Sequence, residues 1–90
     1  MSYRWIITED LVADHDWPEG TNGNAKGVVG PRHADESITD NKTAFRMHDD
    51  DGECYYKGYI FGDFDGFEPL DDFGMPNAGC TKIWIWGAWL

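Results

Sequence analysis

Apolar and aromatic residues come in short runs, separated by stretches rich in Gly, Asp, Asn and Pro. Tyr3 to Thr8 places Tyr, Trp and two Ile within six residues and predicts a strand. Residues 9 to 26 lose the pattern. Asp14, Asp16, Pro18, Gly20, Asn22, Gly23 and Asn24 are turn formers and predict a long irregular loop. Lys26 to Gly30 reads as a short edge strand closed by Pro31. From His33 to Lys42 the chain is polar, with at most one helical turn beginning near Asp35.

The clearest pattern runs from Thr43 to Phe61. Thr43 to His48 predicts one strand, and Glu53 to Phe61, with Tyr55, Tyr56, Tyr59, Ile60 and Phe61, predicts its return. Asp51-Gly52 is a favoured hairpin dipeptide, so the turn is expected at Asp50 to Gly52. Gly58 inside the returning strand marks a bulge or a close backbone approach. Residues 62 to 80 read as a loop containing a short helix, with Pro69 at its first position and Gly74 as its stop. Thr81 to Trp86 is a final strand. Ile83 and Ile85 alternate there with Lys82, Trp84 and Trp86, so both faces are largely apolar and the second needs a cover from a loop or another chain.

These elements predict a mainly β, β-rich α+β fold. It is one antiparallel sheet of about four strands with long loops and at most short helical turns, in one domain spanning residues 1–90. A chain of 90 residues buries only about 60–65% of its unfolded surface. Its five Trp, four Tyr and five Phe offset that small core.

Charge changes the picture more than size does. Seventeen Asp and Glu oppose seven Lys and Arg, a formal net charge of −10. Direct nucleic-acid binding needs a basic face, and an anionic membrane repels such a chain, so neither partner is expected. A basic protein partner is favoured instead. No apolar stretch is long enough for a bilayer span or the core of a signal peptide, and a cytoplasmic location is expected. Cys54 and Cys80 are too few for a disulfide scaffold and read as reduced thiols.

Candidate chemistry is sparse. Asp49-Asp50-Asp51-Gly52 and Asp63-Phe64-Asp65-Gly66 both contain Asp-x-Asp-Gly. An EF-hand register on Gly52 puts Met47 first and Gly58 twelfth; one on Gly66 puts Phe61 first and Asp72 twelfth. Neither supplies the ligands, and a turn and a surface loop explain both. His15 between Asp14 and Asp16, with His33, His48 and the two cysteines, shows no zinc spacing. Asp72-Phe73-Gly74 lacks every other kinase element. No metal, cofactor or catalytic group is therefore expected.

The most unusual stretch is Gly58 to Thr81, which holds Asp63, Asp65, Glu68, Asp71 and Asp72 with no Lys or Arg. Phe61, Phe64, Phe67 and Phe73 alternate with them. The acids are expected to form a negative patch and the phenylalanines to point inward and fix its shape. Residues 67–81, together with 45–53, resemble short acidic proteins carried by actinobacterial genomes and their phages. The resemblance implies a small accessory gene of phage or prophage type and no particular activity.

The expectation is thus a non-catalytic binding protein that binds or inhibits a basic host protein. Asp63, Asp65, Glu68, Asp71, Asp72, Trp84 and Trp86 are the candidate contacts, and nucleic-acid mimicry is one variant. The alternative is a self-associating structural protein using the Trp-rich final strand. A small enzyme or metal protein using His15 or Cys54 is the third reading.

Overall fold

A computed structural model of the chain describes residues 3–11, 26–31 and 35–90. Much of the predicted loop, with His15, and also Arg32 and His33 lie outside the described residues.

Six strands form a single antiparallel sheet: β1 (Tyr3–Asp10), β2 (Val29–Gly30), β3 (Thr43–His48), β4 (Cys54–Gly62), β5 (Lys82–Ile85) and β6 (Ala88–Trp89). Their order across the sheet is β2-β1-β4-β3-β5-β6. The β-rich class is as expected. The edge strand expected within Lys26 to Gly30 is β2, two residues long, and β6 is the strand not expected.

The β3–β4 hairpin forms where Asp51-Gly52 predicts it. Gly52 sits at φ 86°, a conformation glycine adopts without steric cost. The Asp49 carboxylate clamps the turn, accepting from the backbone N–H groups of Asp51 at 3.0 Å and Glu53 at 2.8 Å. Gly58 marks a close approach rather than a bulge. A Cβ there would collide with the Ile6 carbonyl oxygen and the Phe45 ring. The bulges fall elsewhere, between Ile7 and Glu9 and between Met47 and His48. Because Thr8 is the extra residue, β1 continues past the predicted end, and Glu9 and Asp10 pair with Lys57 and Tyr56.

Two other expectations need correction. Gly74 does not stop the helix. A π-helical turn over Leu70–Gly74 runs into helix α1 (Met75–Ala78), and Gly79, at φ 71°, ends it. Gly74 is glycine for packing, since a Cβ there would stand 2.5 Å from Met47 Sδ. Trp86 does not belong to the final strand. Trp86 and Gly87 take φ values of 57° and 77°, the paired positive angles of a type I′ turn, and fold β6 back onto β5.

Alternation divides the sheet into two faces. Trp5, Ile7, Phe45, Met47, Tyr56, Ile60, Ile83 and Ile85 point to one face and are buried. The segment 63–80 lies over them: Leu70 and Cys80 join this core, and Phe64 and Phe73 pack against it. Phe73 fits between Trp5 (ring centroids 5.4 Å apart) and Tyr56 (5.1 Å). The other face carries Arg4, Ile6, Glu9, Ala44, Arg46, Lys57, Tyr59, Phe61 and Trp84. Among the described residues, no comparable layer covers it.

Candidate functional site

The acidic segment is the layer that seals the core, so its carboxylates divide between structure and surface. Glu68 is half-buried and accepts from the backbone N–H groups of Asp65 at 2.6 Å and Gly66 at 2.7 Å, closing its own loop. Asp72 Oδ2 accepts from the Tyr3 hydroxyl at 2.7 Å and the Trp5 indole N–H at 3.0 Å. This pins the layer to β1 while Asp72 itself stays exposed. Asp63, Asp65 and Asp71 are exposed. Among the described residues, no ion pair joins any of the five to Arg4 or Arg46.

The phenylalanines also divide. Phe64 stacks on Trp86, with centroids 5.4 Å apart and planes 15° apart, and Phe73 is wedged into the core. Phe61 is buried, but on the open face. Phe67 is 45% exposed, contrary to the inward orientation expected of it. The turn residues Asp65 and Gly66, held by Glu68, precede it directly, and the next inward position is taken by Leu70.

The open face has the opposite character. Arg4 lies 4.4 Å over the Phe61 ring, Lys42 4.4 Å over Tyr59, and Arg46 4.2 Å over Trp84. Arg4 also donates from Nε to the Ile38 carbonyl at 2.9 Å. Lys57 stands directly across from Arg46 and makes an ion pair of 3.5 Å with Glu9. Arg46 Nε is buried and has no hydrogen-bond partner among the described residues. Arg46, Lys57, Glu9 and Trp84 rim a shallow depression of about 380 Å³, with Thr8, Ala44 and Tyr59 among its lining; Arg4, Lys42 and Phe61 are not part of that lining. Four of the chain's seven basic residues therefore lie on one side of the sheet, with Glu9 paired to Lys57 and Asp35 close enough to Arg4 to be held below the usual carboxylate range, first by its hydrogen bonds from Ser37 and then by Arg4. Sequence reasoning missed this group because its members come from three strands and a loop. The available signal was Lys42, Arg46 and Lys57 spaced through the one hairpin that could be read securely.

The structure separates the two tryptophans named as contacts. Trp84 is half-buried on the open face beneath Arg46, whereas Trp86 is 56% exposed in the β5–β6 turn. Trp89 is 53% exposed and meets the His48 ring edge-on at 4.8 Å. Trp86, stacked on Phe64 between Asp63 and Asp65, therefore adjoins the acidic layer, whereas Trp84 lies on the opposite face of the sheet.

The buried thiol and phenols are held in their protonated forms. Burial pushes Cys80 up to about 12, with the nearby Asp49 carboxylate adding to it. Burial also raises Cys54. Tyr55 is pushed up to about 12 by burial, followed by its hydrogen bond to Asp49. Tyr3 is raised by burial, then by its hydrogen bond to Asp72. No disulfide joins Cys54 to Cys80. Among the described residues, no three His, Cys, Asp or Glu side chains converge as a metal site, and no helix is long and apolar enough to cross a membrane. No family model, curated protein or solved structure matches the chain.

Proposed function

We propose that this protein is a non-catalytic binding module of phage accessory type that acts in the cytoplasm on a basic host protein. The observation that carries the reading is the separation of charge across the sheet. Asp63, Asp65 and Asp71 stand exposed on the covering layer, while the basic side chains of the open face lie on the far side of the core. Glu68 and Asp72 fix the layer's shape, so the exposed carboxylates are preorganised, which favours fast and selective association with a basic surface. Thiols shifted upward oppose a nucleophilic role, which needs the thiolate. Imitation of nucleic-acid phosphates by these carboxylates is one form of the same reading.

The test is affinity capture from host lysate with the native protein and with an Asp63→Asn, Asp65→Asn, Asp71→Asn variant. A basic protein held by the native chain, released by salt and lost in the variant supports the reading. Equal capture by both proteins would overturn it.

Self-association is a second reading, favoured by the edge at β6. Trp86, Trp89 and Leu90 are 56%, 53% and 42% exposed there. Sizing chromatography over a range of concentrations tests it, with a Trp86→Ser, Trp89→Ser variant as the control.

A further inference from the structure

We propose that the open face of the sheet is a second docking surface, for an extended acidic segment of a partner protein whose carboxylates fall at alternate residues. This goes beyond the role assigned to the acidic layer and does not depend on it. Positions 57, 59 and 61 of β4 all point to the open face, and alternate residues of a strand lie about 7 Å apart. A cation stands at each step: Lys57 with Arg46 opposite, then Lys42 over Tyr59, then Arg4 over Phe61. The result is a ladder of positive charge along one strand. Carboxylates at alternate positions of an extended segment repeat at the same spacing.

Net charge does not cancel this ladder. The exposed carboxylates of the covering layer lie on the other side of the sheet, so a segment approaching the open face through solvent meets them at longer range and more screened by salt than the cations beside it. Among the described residues, an incoming segment meets Lys57 and Arg46 beside Glu9, then Lys42, then Arg4 with Asp35 near it. The same geometry weighs against nucleic-acid bases, because Phe61, Tyr59 and Trp84 already carry a cation over one ring face. Arg46, its Cζ 4.2 Å over the Trp84 ring and its Nε buried, can offer only its terminal N–H groups to a carboxylate.

Two synthetic ten-residue peptides of Asp and Thr test the proposal, one alternating and one with the acids in a single block. Titration of the full chain should show the alternating peptide bound at least about fivefold more tightly than the block, with affinity falling as salt rises. Arg46→Gln with Lys57→Gln should weaken it about tenfold, whereas Glu9→Gln, by releasing Lys57, should strengthen it about twofold. Circular dichroism checks that each variant is folded, and Glu9→Gln gives a signal of opposite sign that unfolding cannot imitate. The Asp63→Asn, Asp65→Asn, Asp71→Asn variant should leave the affinity unchanged. If that variant tightens binding as much as Glu9→Gln does, only net charge is sensed and the proposal fails. Failure to bind either peptide, or equal binding of both, also overturns it. So does tighter binding of oligothymidylate, or sedimentation showing that a second copy covers the face.

Discussion

The two faces of this sheet are built from the same strands and the same kinds of aromatic residue, yet they serve different ends. On the covered face, Phe45, Tyr56 and Trp5 are packed against a layer that supplies Leu70, Phe73 and Cys80. On the open face, Phe61, Tyr59 and Trp84 lie beneath cations, with no comparable second layer among the described residues. An aromatic ring can be sealed by hydrocarbon or capped by a cation. The first gives stability in proportion to area buried; the second leaves a charged surface. The difference teaches that, among the described residues, this chain gathers its hydrophobic core on one side of the sheet and its cation-capped rings on the other.

Substitutions on the two faces should therefore differ in cost. Phe45 is 1% exposed, and Phe45→Ala should lose about 3–5 kcal/mol in urea unfolding, while Tyr59→Ala on the half-buried open face should lose about 1 kcal/mol. Equal losses would break the comparison. Alkaline pH probes the same asymmetry. Cys80 on the covered side has its folded value raised from 9.0 to about 12, and Tyr56 from 10.0 to about 12, both first by burial. A raised value means full stability below the unfolded value and loss as pH climbs toward the folded one. Thermal melts should therefore hold steady up to about pH 9 and fall between about pH 9 and 12. In Cys80→Ala the fall should begin nearer pH 10.

Within the covering layer the contrast narrows. Phe73→Ala removes a ring wedged between Trp5 and Tyr56 and should cost about 2–3 kcal/mol, whereas Phe67→Ala should stay within about 0.5 kcal/mol. Asp72→Ala strands the Tyr3 hydroxyl and the Trp5 N–H and should cost about 1–2 kcal/mol, while Asp71→Asn should be neutral by the same measurement.

How much of this was legible follows from which interactions are local. The β3–β4 hairpin rests on alternation and a two-residue turn signal, and it was predicted within a residue or so at each end. Fold class followed from such runs. β6 was not seen because its turn places a tryptophan at positive φ, where Gly or Asn is the expected residue; the stack of Trp86 on Phe64 accompanies that choice. The helix end was misplaced because Gly74 and Gly79 are alike in sequence. One is glycine to admit Met47 and the other to reach φ 71°. The acidic segment was visible as composition, but the division of labour within it was not. Asp72 meets Tyr3 and Trp5 across most of the chain's length, and nothing local announces that. The open-face cations were hidden for the same reason, and the bulge at Thr8 shifts which β1 residues share their side.

The separation of the two faces can be tested in one measurement. An isotopically labelled sample titrated with an arginine-rich peptide, at physiological salt, reports contact residue by residue through amide chemical shifts. The account predicts shifts concentrated at residues 63–73, with β4 amides unmoved and the pattern lost in the Asp63→Asn, Asp65→Asn, Asp71→Asn variant. Shifts centred on the acidic turn from Asp49 to Glu53, or spread evenly over every carboxylate of the chain, would contradict it.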